Sequence, residues 1–312
     1  LPITSNASLA AVETITDSNT DAVGARQRML QITSSQTGGF SIWGQGLYSQ
    51  FHGSDEDSYS GHGAGGVVGF DFSQAEKGHF GLALTIYNAT LDEKSPLIAK
   101  TDAKSYLISP YVGFRIQNFF LDAQLNAGES NLDTTRTVNV ESITRVATGK
   151  ANEMLAAGGI SSGYIWDIGF IRLIPQININ GIEMFDHNYT ESGGGAGVDL
   201  TINSHHQSSL RSFVGFAADG SYQLLGMRLV PQVLTGWSQE LIGGAPTVNA
   251  AFASNPDSTF EVSGPGAARS RLIAGGGFDF VASNWSIGLN YNATISSSAL
   301  SQTAGLSMSA RF

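Results

Sequence analysis

The chain contains no cysteine, so no disulfide framework or thiolate metal centre is open to it, and passage through an oxidising compartment meets no thiol chemistry. Only 13% of its 312 residues are charged, about half the share usual in soluble domains. Lysine and arginine number 16 against 26 aspartates and glutamates, a net charge of −10 at pH 7. That acidic balance leaves no basic stripe to neutralise phosphates, which excludes nucleic acid as a partner class. Long apolar runs are missing too. No stretch approaches the roughly 20 consecutive apolar residues that a membrane-spanning helix requires. The amino terminus, Leu1-Pro2-Ile3-Thr4, lacks the basic and apolar regions of a secretory signal, so the chain is read as a mature or excised segment.

What the chain does contain is alternation. Ile108, Pro110, Val112, Phe114 and Ile116 share one face of an extended segment, opposite Ser109, Tyr111, Gly113, Arg115 and Gln117. Leu121, Ala123, Leu125 and Ala127 oppose Asp122, Gln124, Asn126 and Gly128 in the same way. So do Phe80, Leu82, Leu84 and Ile86 against Gly81, Ala83, Thr85 and Tyr87, and Trp285, Ile287, Leu289 and Tyr291 against Ser286, Gly288, Asn290 and Asn292. A dry core would waste such polar faces. A barrel in lipid uses them, with the apolar face turned out to acyl chains and the polar face lining a wet lumen.

About twelve such segments are legible, at roughly 39–53, 62–73, 79–93, 104–117, 119–137, 150–166, 170–187, 205–219, 226–241, 268–282, 284–297 and 303–312. Their connections alternate in length. Gln74 to Gly78, Asn118, Asp167 to Gly169, Gly220 to Leu225 and Ser283-Asn284 are short, whereas Gly53 to Gly61, Leu91 to Ala103 and Ile242 to Ala267 are long. Tight turns at one rim and long loops at the other are the asymmetry of an outer-membrane barrel, with the turns periplasmic and both termini on the turn side. Aromatic girdles are expected from Trp43, Tyr111, Trp166, Trp237, Trp285 and Tyr291.

Ahead of the first strand the grammar changes to that of a helix. Ser18 with Asp21 resembles a capping box, and Arg26 and Arg28 lie where they complement the macrodipole. The expected fold is therefore all-β: a transmembrane antiparallel β-barrel of about twelve strands over residues 39–312. Residues 1–38 form a linker whose α-helix, at about 18–32, occupies the lumen. Twelve strands enclose room for one helix, whereas about eight leave an interior filled by side chains. Gly81, Gly113, Gly128, Gly215, Gly275, Gly277, Gly288 and Gly305 fall on the predicted lumen face. They either leave room for the helix or relieve strand curvature.

The chain end carries a further pattern. Leu306-Ser307-Met308-Ser309-Ala310-Arg311-Phe312 alternates without a break and finishes on an aromatic carboxy terminus. Leu306, Met308, Ala310 and Phe312 thus resemble the assembly signal of bacterial outer-membrane barrels. With Trp43-Gly44-Gln45-Gly46, Gly69-Phe70-Asp71, Ser109-Pro110-Tyr111-Val112-Gly113, Leu210-Arg211-Ser212-Phe213-Val214-Gly215, Val230-Pro231-Gln232-Val233, Gly236-Trp237, Glu240 and Ala251-Phe252, the order of motifs resembles the carboxy-terminal translocator domain of autotransporters, the type V secretion proteins.

That resemblance implies a monomeric protein of the bacterial outer membrane that carries an amino-terminal passenger to the cell surface and leaves the linker helix in its pore. Its implied partners are outer-membrane lipids and lipopolysaccharide, the barrel assembly machinery, and its own passenger, which residues 1–16 are too few to form. Some relatives cut the passenger free inside the lumen at an asparagine. Asn19 stands at the matching place, and the missing second asparagine argues against such cleavage here.

Lumen charges need partners. Arg26 and Arg28 are expected to face carboxylates drawn from Asp71, Asp122, Asp279 and Glu240, with Arg115 and Arg211 balancing the remaining acids; the alternative is solvated charges without fixed pairing. No catalytic residue, metal site or cofactor is expected. His52, His62, His79, His187, His205 and His206 lie in no acyl-transfer motif and read as solvated. Adjacent His205 and His206 point to opposite faces of a strand and cannot easily share an ion with nearby Asp199. Ser192-Gly193-Gly194-Gly195-Ala196-Gly197 lacks the Lys-Ser/Thr of a phosphate loop. Asp55-Glu56-Asp57 either bridges divalent cations to lipopolysaccharide or is a hydrated loop. A passive porin, and a surface adhesin or enzyme acting through its loops, are the competing readings.

Overall fold

The computed structural model of the chain describes residues 5–33, 38–53, 58–74, 77–95, 98–140, 143–245, 247–263 and 268–312. A single helix, α1 (Ser5–Thr33), precedes the strands. In chain order these are β1 (Gly39–Gly53), β2 (Ser58–Gln74), β3 (Gly78–Ser95), β4 (Ile98–Ile116), β5 (Phe119–Val140), β6 (Ile143–Tyr164), β7 (Trp166–Ile168), β8 (Ile171–Asp186) and β9 (Tyr189–Thr190). There follow β10 (Leu200–Ile202), β11 (His205–Gly220), β12 (Tyr222–Leu224), β13 (Met227–Ile242), β14 (Thr247–Phe252), β15 (Asn255–Ser263), β16 (Ser270–Val281), β17 (Trp285–Ile295) and β18 (Ala299–Arg311).

Twelve of them, β1 to β6, β8, β11, β13 and β16 to β18, form a closed antiparallel barrel. Closure runs from Ser41 opposite Arg311 to Gly53 opposite Ala299. A closed sheet is what lipid demands, because an open edge would leave backbone N–H and C=O groups in hydrocarbon without partners. The short β7 and β12 only prolong two turns. At the Leu225-Gly226 turn both φ values are positive, at 51° and 77°, the backbone that matches the twist of a two-residue hairpin.

The two faces divide as the alternation predicts. On β4 the outward residues Tyr106, Ile108, Phe114 and Ile116 are exposed, while Ser105, Leu107, Ser109 and Tyr111 are buried inward. Above Tyr106 the outward face changes to Lys104, Asp102 and Lys100, with Lys100 and Asp102 paired at 2.8 Å. The apolar band therefore spans about eleven residues of a strand, the length a tilted strand needs to cross a bilayer. Phe72 and Phe80, 5.8 Å apart, and Phe40 and Phe312, 6.3 Å apart, stack outside at the turn-side rim. Leu306 and Met308 are lipid-facing, and the Phe312 N–H donates to the Phe40 carbonyl at 2.9 Å, so the chain end seals the closing strand pair. Two girdle assignments are corrected by strand parity. Trp43 and Tyr111 face inward, with the indole N–H donating to the phenol oxygen at 2.8 Å.

Outside the band a second, four-stranded sheet in the order β15-β14-β10-β9 is folded from the two longest described loops. Leu200, Ile202, Val248 and Ala250 form its own buried core. The buried Arg136 of β5 clips it to the barrel, donating to both carboxylate oxygens of Glu191 and to the Val198 carbonyl. The Gly-rich segment at 192–197 is shaped by Asp199, whose carboxylate accepts from the N–H groups of Gly194 and Gly195 at 2.7 and 2.8 Å.

The lipid face yields a direct prediction. Leu125→Arg, at an outward position 65% exposed near the middle of the band, is expected to destabilise the barrel by about 2–4 kcal/mol. Asn131→Arg, above the band on the same face, should change stability by at most about 1 kcal/mol. Urea titration of both variants refolded into lipid vesicles measures the difference, and equal costs would place the band elsewhere.

Candidate functional site: the helix and the lumen wall

Helix α1 is 29 residues long, roughly 43 Å at 1.5 Å per residue. It begins well before residue 18, and Ser18 is an interior residue rather than a cap. The reason lies in what surrounds it. Ala11, Val12, Ile15, Ala22, Val23 and Leu30 form a buried stripe at helical spacing. This stripe packs on inward residues such as Leu47, Phe51, Tyr87, Leu91 and Leu107.

Between the apolar positions lie polar side chains that are equally buried, and from Ser18 onward they meet wall groups. Ser18 bonds Ser49 at 3.0 Å. Asn19 donates to Ser109 and Asn126 at 3.0 and 2.9 Å and accepts from the Thr85 hydroxyl at 2.6 Å. The Asn126 amide in turn donates to Thr20. Both ends of the Asn19 side-chain amide are thus committed to the wall that holds it. Further along the helix, Gln27 donates to the Val112 and Ala123 carbonyls, and Gln31 donates to Asp122 at 2.8 Å. Sequence reasoning misses this uncharged belt. The Ser18-Asn19-Thr20 run reads as a helix start in water because its side chains compete with the backbone, but here they have the lumen wall to bond.

The charged candidates separate into two clusters at opposite ends of α1. Towards the turn side, Arg26 makes a two-pronged contact with Asp71, at 2.7 and 2.9 Å, and Asp71 is completely buried. Tyr111 donates a further bond to the same carboxylate at 2.9 Å, and the guanidinium lies 5.9 Å from the Trp43 ring centroid. Arg115 donates to the Gln31 carbonyl at 2.7 Å, capping the last turn of the helix. At the loop side, Arg211 of β11 contacts Glu13, Asp17 and Glu240, and Arg271 of β16 contacts Glu13 at 3.0 Å and Glu240 at 3.7 Å.

Several expected pairings fall differently. Arg28 makes no ion pair within 4.0 Å among the described residues; Asp21 and Asp122 are the acids whose charges reach it. Asp279 accepts from Gln232 at 2.9 Å instead of from a helix arginine. Glu240 pairs with wall arginines and not with Arg26 or Arg28. Two histidines, His79 and His205, are not the solvated groups the sequence suggests. His79 is 4% exposed beside Asp122, and His205 faces inward with Nε2 2.7 Å from Asp186 Oδ2. Asp55-Glu56-Asp57 lies outside the described residues. At Gly81 and Gly113 the space is filled by side chains: a Cβ on Gly81 would meet the Tyr111 ring at 2.3 Å, and one on Gly113 the Asp122 carboxylate at 2.1 Å. Both of those side chains go on to hold the helix apparatus.

The sequence and the fold have counterparts among known proteins. The sequence matches the family model described as "Autotransporter beta-domain" over residues 42–292. This chain belongs to the autotransporters. It is 24% identical over 274 residues to an extracellular serine protease of Serratia marcescens, a match covering 86% of this chain and 26% of that protein, so it spans about a quarter of the relative's length. The translocator domain of NalP from Neisseria meningitidis superposes with a TM-score of 0.73 at 16% identity, covering 95% of this chain and 97% of that one. The β-domain of the Bordetella autotransporter BrkA gives 0.63 at 12% identity over 88% and 100% of the two chains. The transport unit of AIDA-I from Escherichia coli gives 0.55 at 13% over 87% and 90%. At these identities the structural likeness is one of fold. The autotransporter barrel described here is a bacterial outer-membrane protein.

The clamp at the turn side can be dissected by substitution. Arg26→Ala leaves Asp71 buried and unpaired, which is expected to loosen the helix by about 3–5 kcal/mol. Joint replacement with Arg26→Met and Asp71→Leu should recover most of that loss, because it removes both charges and keeps the volume. Hydrogen exchange of the α1 amides reads both. Unchanged protection in the single variant would show that Arg26 does not hold the helix.

Proposed function

We propose that this barrel is the translocator of a type V secretion protein, anchoring and exporting a polypeptide attached ahead of α1. One observation carries the reading. Helix α1 runs through the lumen with its C-terminal end beside the tight turns at Gly78 and at Gln117-Asn118, and with Glu13 beside the loop-side cavity. A chain segment joined to Ser5 therefore leaves the barrel on the face opposite the turns, which is the cell exterior for a barrel with periplasmic turns. The helix is bonded at several levels to inward residues, so it is an integral occupant of the pore, and a wide passive porin would not fill its lumen in this way.

The reading assigns no catalytic chemistry to the barrel. Lipopolysaccharide, the assembly machinery and the passenger are its proposed partners; the exposed aromatic rims suit the first, and the Leu306, Met308, Ala310 and Phe312 pattern suits the second.

A reporter domain fused ahead of Ser5 tests the proposal in a Gram-negative host. It is expected to be labelled by antibody and cut by added protease on intact cells. A folded, heat-modifiable barrel whose reporter stays in the periplasm would overturn the export reading.

A further inference from the structure

Lysine and arginine occupy different surfaces of this barrel. Arg115, Arg172, Arg211 and Arg271 point into the lumen, and Arg136 and Arg145 bind the outer sheet. Every lysine is exposed instead. Lys77 sits at the turn between β2 and β3, whereas Lys94, Lys100, Lys104 and Lys150 all project outward beyond the loop-side edge of the apolar band, on β3, β4 and β6. Among the described residues no other barrel strand carries an outward lysine or arginine at that level.

Register turns these strands into a continuous polar face. The row above Tyr106 runs Asn88, Lys104, Asn131, Asn152 across β3 to β6. The next runs Thr90, Asp102, Asp133, Lys150, and above it Asp92 lies opposite Lys100. Three rows on four strands make a face about 14 Å on each side. Directly beneath it the same strands present Leu84, Ile86, Ile108, Leu125 and Met154 as exposed apolar side chains.

The lysines of this face are available to a ligand. Lys104 makes no ion pair within 4.0 Å among the described residues, and its ammonium lies 5.4 Å from the Tyr106 ring centroid. Lys100 pairs with Asp102 at 2.8 Å and Lys150 with Asp133 at 3.5 Å, but all four side chains are about half exposed or more, and exposed pairs of this kind hold weakly. Asp102 and Asp133 stand directly opposite each other, where like charges repel.

We infer that this face binds the phosphorylated sugar headgroup of an outer-leaflet glycolipid, lipopolysaccharide, whose acyl chains lie on the band below. Phosphoryl oxygens meet Lys100, Lys104 and Lys150, and the amides of Asn88, Asn131 and Asn152 face the sugar hydroxyls. The divalent counter-ions that such a headgroup carries relieve the repulsion between Asp102 and Asp133 once their lysines turn to phosphate. This places the lipid partner named above at one sector of the perimeter, and it rests on the loop side facing the cell exterior.

Lysine acetylation of the wild-type chain, refolded into phosphatidylcholine vesicles with magnesium present, tests the site with a membrane-permeant reagent and mass spectrometry of each lysine. Phosphorylated lipid A in the vesicles should slow reaction of Lys100, Lys104 and Lys150 by about five-fold and leave Lys77 unchanged. Dephosphorylated lipid A, or phosphatidylglycerol, should give no such selective protection. Lys104→Gln should bind lipid A about five-fold more weakly, and Lys77→Gln as tightly as the wild type. Equal slowing at Lys77, or equal protection by the dephosphorylated lipid, would overturn the proposal. Loss of reporter display with selective protection intact would sink export and leave the lipid site standing; loss of selective protection with display intact would sink the site alone.

Discussion

The whole architecture depends on one constraint, that hydrocarbon offers no partner to a backbone N–H or C=O. The barrel meets it by closing β1 on β18, so that every strand within the band has two neighbours. The helix, screened from hydrocarbon by the barrel wall, satisfies its backbone through its own ladder and leaves its side chains to bond the wall. Once both are satisfied internally, the space between them is free to be polar. That freedom inverts the usual core: Asn19, Gln27, Gln31 and Asp71 are buried where a soluble protein would put leucine.

Burial of these four polar groups is tolerable because each has a partner across the helix–wall contact, since an orphaned group costs about 1–3 kcal/mol and more if charged. The arrangement spreads helix docking over several modest interactions and concentrates specificity at Arg26. Its carboxylate partner is completely buried, is reached by two guanidinium nitrogens, and takes a third bond from Tyr111. A buried pair of this kind adds less net stability than its contacts suggest, because both ions lose their hydration. What it gives is a fixed depth and rotation for the helix, because a guanidinium fork fits a carboxylate in few orientations.

How much of this is legible in the chain depends on whether the decisive signal is local. Strand alternation is local, so the lipid and lumen faces of β4, β5 and β17 follow from period alone. The start of α1 does not, because Ser18-Asn19-Thr20 belongs to a helix only when Ser49, Ser109 and Asn126 stand ready across the lumen. Trp43 and Tyr111 mislead because aromatic type suggests a rim, whereas parity with Ser41 and Ser109 puts them inside. Among the charges, Asp71 stands out as an acid between Phe70 and Phe72, where alternation turns it inward towards a helix that carries Arg26. Arg271 does not, since nothing in its neighbourhood along the chain distinguishes an inward arginine bound to Glu13 from a solvated loop residue. The outer sheet is invisible for a related reason: β9, β10 and β14 are too short to show a period, and they exist only because two distant loops share Leu200, Ile202, Val248 and Ala250.

The uneven seating of the helix follows from the same chemistry. The wall from β1 to β5 presents large inward side chains, Trp43, Leu47, Phe51, Tyr87 and Tyr111, that fill the gap to α1 and exclude water. From β16 to β18 the inward positions include Gly275, Gly277, Gly288 and Gly305, and the helix is met there by a few polar side chains, Arg271 on Glu13 and Asn292 on Asp21 among them. A lumen built this way packs closely on the helix along one side and meets it through polar side chains on the other. On the proposed export route that division has a use: a polar wall offers little apolar surface for passing polypeptide to stick to, while the aromatic wall recognises the final segment by the spacing of Val12, Ile15, Asn19, Val23, Arg26 and Leu30. Arrest in the pore is then a property of matching sequence and not of size.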